Sequence, residues 1–238
     1  AVFVVVLAHA GRLFEPTPQR AGPTRTGTGV MIVVDTSGSM AGDKLRRAQE
    51  ALRSVALSLP EDAVVGMRTF SSGTRLASPP RASGSGGVEM AANSLIADGG
   101  TNIGGALTAV GTDIEATGGN APWKIVLISD GEGNDVASDL ASARSLAARL
   151  PNVTCDAIGI EMNATGEREL NDITSLLHGR TWMVGRDQLQ ATLHEAVSLA
   201  GFRTSRAARG ADIRIAVIAV LLLALLIAGA LRLRLTMS

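Results

Sequence analysis

Residues 30–39, VMIVVDTSGS, carry the pattern from which the fold follows. Val30 to Val34 form an unbroken apolar, mostly β-branched run, which is typical of a strand buried on both faces of a parallel sheet. Asp35 comes directly after this run and opens a glycine-containing turn, so we expect its carboxylate at the rim of the sheet. A second run, Lys124 to Ser129, also ends in an aspartate, Asp130, followed by glycine. The sequence therefore predicts two buried strands that each present a carboxylate at one end.

Strand and helix patterns alternate outward from these two runs. The segment after Gly42 is amphipathic, with apolar residues at steps of three and four, and it ends at Pro60. This alternation predicts an α/β fold: a doubly wound, mostly parallel sheet with helices on both faces. We expect strands at 30–34, 64–70, 74–77 (a short edge strand), 124–129, 153–160 and 181–184, a loop at 78–87, and helices at 42–59, 89–97, 103–116, 137–150, 167–177 and 188–199.

Composition limits the classes of function. The chain has 238 residues with 22 basic and 22 acidic side chains, so no overall field points to nucleic acid. Its single cysteine, Cys155, excludes an internal disulfide and a multi-cysteine zinc site, and we expect it to pack in a buried strand. Function must therefore come from a local site on one main domain, which we place at 29–201.

The C-terminal segment is strongly apolar. Residues 215–231 contain no charged side chain and are long enough for a short membrane-spanning helix, with a buried core helix as the alternative. Arg214 on one side, and Arg232 and Arg234 on the other, lie where they can reach lipid head groups. We therefore expect a single-pass membrane protein, with an arginine-rich linker at 202–214 and a short tail at 232–238.

The N-terminal segment bears on orientation. Residues 1–10 end in Ala8-His9-Ala10, a form compatible with signal-peptidase cleavage, and a truncated signal peptide, a shortened anchor and a buried strand all remain open. A Pro- and Gly-rich linker occupies 11–28. The arginines of 202–214 favour a cytoplasmic domain by the positive-inside rule, whereas a signal peptide would export it. We expect the domain to be extracytoplasmic.

The side chains after the two buried strands suit a hard cation. If the strands are neighbours where the strand order reverses, Asp35 and Asp130 converge, and Ser37 and Ser39 add hydroxyl oxygens beside them. Carboxylate, hydroxyl and water oxygens favour Mg²⁺, Mn²⁺ or Ca²⁺, whereas zinc or copper would call for His or Cys. The sequence thus predicts a divalent cation site at the rim of the sheet.

The run Asp35-Thr36-Ser37-Gly38-Ser39 resembles the Asp-x-Ser-x-Ser signature of von Willebrand factor A domains, which form a metal ion-dependent adhesion site. Residues 98–102, with Thr101, resemble the second metal-binding loop of that family, and residues 129–131, with Asp130, resemble the third. The resemblance implies a metal bound by Asp35, Ser37, Ser39, Thr101 and Asp130, and a protein partner that supplies an Asp or Glu to it. It also implies an alternative: membrane-tethered bacterial members often work in assembly with AAA-type ATPases.

Catalysis is not expected. The three histidines, at positions 9, 178 and 194, lie outside the loops of the site, and neither a Gly-x-Ser-x-Gly elbow nor a Walker A sequence is present. A metal-dependent phosphatase of the haloacid dehalogenase type is a remote alternative, because it would need an aspartate where Ser37 stands. Glu132, Asn134 and Asp135 flank the third loop, as solvated residues or as groups that tune selectivity. Asp98 is expected either behind the metal ligands or as a helix cap.

Overall fold

The computed structural model of the protein describes residues 28–118, 121–131 and 133–200. Its strands form one six-stranded sheet in the order β3-β2-β1-β4-β5-β6. Only β3 runs antiparallel to its neighbour; the other pairs are parallel. This confirms the predicted mostly parallel α/β sheet. The strands are β1 (Gly29–Asp35), β2 (Val64–Phe70), β3 (Thr74–Ala82), β4 (Trp123–Ser129), β5 (Val153–Ile160) and β6 (Thr181–Val184).

Helices cover both faces of the sheet because successive side chains of its central strand point to opposite sides. Val30, Ile32 and Val34 belong to the core under α1, α2 and α6. Met31 and Val33 belong to the core under α3, α4 and α5. The helices are α1 (Asp43–Ser58), α2 (Gly87–Asn93), α3 (Ile103–Glu115), α4 (Val136–Arg149), α5 (Ala164–Leu176) and α6 (Leu189–Ser198).

The edge strand β3 is longer than predicted. The prolines at 79 and 80 indicated a loop from 78 to 87, yet the strand continues through them to Ala82. Proline is tolerated there because the strand lies at the edge of the sheet, and the register against β2 shifts on both sides of Met67. The prediction of a loop at 78–82 was wrong for this reason.

Two helix boundaries differ from the prediction by three residues or more. Helix α2 ends at Asn93, four residues before the predicted end. Helix α5 begins at Ala164, three residues before the predicted start, because the Asn163 side chain accepts hydrogen bonds from the backbone N–H groups of Thr165 and Gly166. A polar capping residue extended the helix beyond its apolar pattern.

Several predicted segments lie outside the described residues. These are the possible signal peptide at 1–10, the linker at 11–28 except for its last residue, the arginine-rich linker at 202–214, the apolar segment at 215–231 and the tail at 232–238. Among the helices that the structure describes, none has the length and apolar character needed to cross a membrane.

Candidate metal centre

The strand order reverses between β1 and β4, and this brings the two predicted carboxylates to one edge of the sheet. The two strands are paired in parallel, with Val34 opposite Ile128. Asp35 is the last residue of β1, and Asp130 follows directly after β4. Ligands bind at such reversal points in doubly wound sheets because the loops on either side diverge there.

Asp35 is completely buried and held by two neighbours. One of its carboxylate oxygens accepts a hydrogen bond from the backbone N–H of Ser37 at 2.7 Å, and the other accepts from Ser129 Oγ at 2.6 Å. Burial raises the pKa of Asp35 and the charge of Asp130 adds to this, while the bonds from Ser129 and Ser37 oppose it. Ser129 thus positions Asp35 from the neighbouring strand, a role that the sequence did not predict.

The Ser39 hydroxyl links the first loop to the third. It donates to Asp130 Oδ1 at 2.7 Å, and Ser37 Oγ lies 3.0 Å from it. Because a hydroxyl has one proton, Ser37 must then be the donor to Ser39. A Cβ atom built on Gly131 would lie 3.9 Å from Ser39 Oγ and 4.0 Å from Thr101 Oγ1, so both hydroxyls border the same space beside Gly131.

The second loop is tied to the first loop by backbone groups, and to Asn134, three residues after the third loop, by one backbone bond and one bond to the Asn134 side chain. Gly38 N donates to Gly99 O at 2.9 Å, and Asp98 N donates to Thr36 O at 2.8 Å. Asn134 N donates to Thr101 O at 2.8 Å, and Thr101 N donates to Asn134 Oδ1 at 3.2 Å. The three loops that carry the predicted ligands therefore form one hydrogen-bonded unit.

The residues flanking these loops have structural roles. Asp98 is exposed, and the cap of α3 is Asn102, whose side chain accepts from Gly105 N at 2.8 Å. Asp135 caps α4 by accepting from Ser138 N at 3.1 Å. Glu132 lies outside the described residues. Helix capping accounts for Asn102 and Asp135, and the cap alternative for Asp98 was wrong.

A basic side chain that sequence reasoning missed also reaches the site. Lys44, the second residue of α1, forms an ion pair with Asp130 Oδ2, the oxygen that Ser39 does not hold. The Asp130 side chain is fully buried and that of Lys44 is 22% exposed. The sequence placed Lys44 only on the polar side of an amphipathic helix.

Two further carboxyl groups lie behind the third loop. Asp139 on α4 and Glu169 on α5 are both buried and share a hydrogen bond. Asp139 Oδ1 accepts from Gly104 N at 2.5 Å, and Glu169 Oε2 accepts from Gly133 N at 2.7 Å. Burial raises the pKa of Asp139 and the charge of Asp135 adds to this, while the hydrogen bonds from Glu169 and Gly104 N oppose it. This second pair therefore braces the third loop from behind.

The chemistry of the donor set fits a hard divalent cation. Within the described part of the chain, no three His, Cys, Asp or Glu side chains come together as a metal site. A cation at this edge would therefore depend on the hydroxyl groups as well as on the two aspartates. Such oxygen donors suit Mg²⁺, Mn²⁺ or Ca²⁺. The exposed position of Ser39 leaves the cluster open to solvent on one side.

The remaining reactive side chains lie elsewhere. Cys155 is buried in β5, as predicted, and burial raises the pKa of its thiol. His178 is exposed beyond the end of α5. On α6, His194 Nε2 lies 3.0 Å from Ser54 Oγ of α1. His9 lies outside the described residues.

Comparison with known proteins agrees with this architecture. Residues 30–132 match the model of the von Willebrand factor type A domain. A von Willebrand factor type A protein from Catenulispora acidiphila is similar at 24% identity and a TM-score of 0.65, over 73% of the present chain and 43% of its own. The protein therefore spans less than half of that relative. No curated protein gave a significant match.

Two other solved structures share the fold. An aerotolerance-related membrane protein from Bacteroides fragilis is 21% identical, with a TM-score of 0.59 over 73% of this chain and 98% of its own. Proximal thread matrix protein 1 from the mussel byssus, with zinc in its metal ion-dependent adhesion site, is 20% identical, with a TM-score of 0.60 over 73% of this chain and 48% of its own. Residues 30–132 are therefore similar to the von Willebrand factor type A domain, and the described part of the chain shares the fold of these solved structures.

Proposed function

We propose that the domain binds a divalent cation, Mg²⁺ in the first instance, and through it a protein partner. The ligands are Asp35, Ser37, Ser39, Thr101 and Asp130. The observation that carries this proposal is the hydrogen-bonded unit of three loops, in which the Ser39 and Thr101 hydroxyls border the same space and Ser39 contacts both Ser37 and Asp130. The zinc at the adhesion site of the mussel protein shows that this fold can hold a divalent ion there.

The chain's own residues prepare the site in two ways. Ser129 and the Ser37 backbone fix the orientation of the Asp35 carboxylate before any ion arrives. The serine pair orders the Asp130 carboxylate. A bound divalent ion supplies an electrophilic centre for a carboxylate on the partner. Neutral hydroxyl ligands leave more of the positive charge for that carboxylate than a set of anionic ligands would.

The test of the metal site is calorimetric titration of the purified full chain with MgCl₂ and MnCl₂. Asp35→Ala is expected to weaken binding by about 100-fold, the upper end of what a disturbed ligand shell costs. Asp172→Ala, which removes an exposed carboxylate from α5, is the matched control. Because Asp35 is buried, Thr101→Val provides a second variant that keeps the shape and loses one ligand. Unchanged affinity in both site variants would refute the assignment.

Partner binding is tested separately. A target that depends on the metal should be retained by the immobilised full chain in MgCl₂ and released by a chelator. The same target should lose binding when its contacting Asp or Glu is changed to Asn or Gln. Retention that is indifferent to both changes would exclude recognition through the metal.

We further propose that residues 215–231 anchor the protein in a membrane with the domain on the extracytoplasmic side. The apolar composition of that segment supports the anchor. Protease added to intact cells should then degrade the domain. Protection in intact cells, followed by degradation after permeabilisation, would place the domain in the cytoplasm.

A further inference from the structure

The ion pair between Lys44 and Asp130 connects a helix to the metal site. Asp130 has two oxygens, and in this structure Ser39 occupies one and the Lys44 ammonium the other. The helix that carries Lys44 starts just after the Asp35–Ser39 loop, through a turn in which Gly42 has a φ of +79°. Its second residue therefore lies beside the loop that supplies three of the proposed ligands.

The other basic residues at this end of α1 form ion pairs with carboxylates on the protein surface. Arg46 binds Asp43 and Glu50, one turn away on either side. Arg47 lies near the same two carboxylates and Asp187. Lys44 has no acidic residue three or four positions away in either direction, since residues 40, 41, 47 and 48 are Met, Ala, Arg and Ala. Lys44 therefore cannot form the ion pairs along the helix that Arg46 and Arg47 form.

A lysine in this position conflicts with a bound cation. The ammonium and a divalent ion would both be attracted to the carboxylate of Asp130 and would repel each other across it. Lysine suits such a place because its charge is compact, strongly hydrated and carried on a flexible four-carbon stem. With 22% of its side chain exposed, it can move into water without opening the core.

We propose that Lys44 is a built-in counter-ion of the metal site, which neutralises Asp130 in the metal-free protein and is displaced by a divalent cation. This inference rests on the proposed metal site and adds a residue that limits its affinity. Without metal, the ammonium gives the fully buried Asp130 side chain an opposite charge and holds the third loop against α1. With metal, Lys44 is released at the rim.

The first experiment compares metal affinity. The full chain and its Lys44→Gln variant are titrated with MgCl₂ and MnCl₂ by calorimetry. The variant should bind each ion about tenfold more tightly, a typical coupling between two competing ligands. Arg53→Gln is the matched control, because it removes the same charge from the same helix at a side chain that donates to Asn93; its affinity should equal that of the wild type.

The outcomes separate this inference from the proposed function. If Asp35→Ala loses the metal while Lys44→Gln binds it as the wild type does, or more weakly, the metal site stands and the role of Lys44 is overturned. A full chain that binds neither ion overturns both.

The second experiment needs no metal. Thermal unfolding in a chelator is compared for the wild type, Lys44→Gln, Asp130→Asn and the double variant. Lys44→Gln should lower the midpoint in the wild-type background and have no effect in the Asp130→Asn background, because the buried charge is then gone. A Lys44→Gln chain that does not fold should be rescued by Asp130→Asn. Equal effects in both backgrounds, or no rescue, would refute a counter-ion role.

Discussion

Two pairs of carboxyl groups lie at and next to the third loop, and they differ in what surrounds them. Asp35 and Asp130, the outer pair at the rim, accept hydrogen bonds from the hydroxyls of Ser129 and Ser39. They also receive the backbone N–H of Ser37 and the ammonium of Lys44. Asp139 and Glu169, the inner pair, accept hydrogen bonds from backbone N–H groups and share a hydrogen bond with each other. Two buried carboxyls in contact cannot both be ionised at low cost, and burial raises the pKa of Asp139.

The difference separates the proposed cation site from a carboxyl pair that holds backbone groups. Hydroxyl oxygens can turn from hydrogen bonding to coordination, and the rim is open to solvent at Ser39. The inner pair is fully enclosed, and its outer oxygens are used to hold Gly104 and Gly133. The inner pair therefore supports the loop on which the outer pair depends. Substitutions on each side of the loop test this division.

The largest effect is expected for Gly133→Ala. A Cβ atom at this position would lie 1.8 Å from Asp139 Oδ2 and 2.7 Å from Glu169 Oε1, so either the loop or the carboxyl pair must move. We expect a loss of about 3 kcal/mol in the free energy of unfolding, the upper range for overpacking. The measurement is urea denaturation of the metal-free protein. Gly185→Ala is the control, because nothing lies within 4 Å of its added Cβ atom. Equal stability of the two variants would show that the inner pair can move aside at little cost in free energy.

A smaller effect is expected for Ser39→Ala. This change removes the hydroxyl that joins Asp130 to Ser37, and it leaves the inner pair untouched. Mg²⁺ affinity should fall about tenfold, because the change removes one proposed ligand and the group that orients the Asp130 carboxylate. Calorimetric titration measures this, with Ser138→Ala on the exposed start of α4 as the control. A matching loss in the control would mean that the hydroxyl at the rim has no special role.

Much of this arrangement could be predicted from the sequence. The apolar run of β1 and its terminal Asp35 are local features. The pairing of β1 with β4 was a condition of the prediction, and the sheet order of the structure fulfils it. The positions of Ser37, Ser39 and Asp130 in one cluster then follow. The assignment of the five metal ligands stays a prediction that the titration of the Asp35 variant tests.

The contacts that sequence reasoning missed join distant residues through the fold. Lys44 lies 86 positions from Asp130, and Gly133 lies 36 from Glu169. On their helices, Lys44 looked like a solvated charge, and no local pattern marks Asp139 as buried. Strand β3 was missed for another reason, since its prolines are acceptable only because the fold puts them at an edge.

The smallest effect is expected in the pH dependence of Asp139→Asn. The pKa of Asp139 is raised in the folded state by burial, so the native protein keeps a proton that the unfolded chain loses near pH 3.9. Wild-type stability should therefore fall as the pH rises from about 4 through the native pKa of Asp139, because the folded state binds more protons than the unfolded state in that range.

The asparagine of the variant cannot ionise, can still accept from Gly104 N and can donate to Glu169 in place of the shared proton. Its profile should be flatter over the same range, as measured by urea denaturation in a chelator between pH 4 and 8. Asp172→Asn, on the exposed side of α5, should follow the wild-type slope. A wild-type slope in Asp139→Asn would mean that the inner pair is not a proton-holding site, and the contrast with the rim would then rest on solvent access alone.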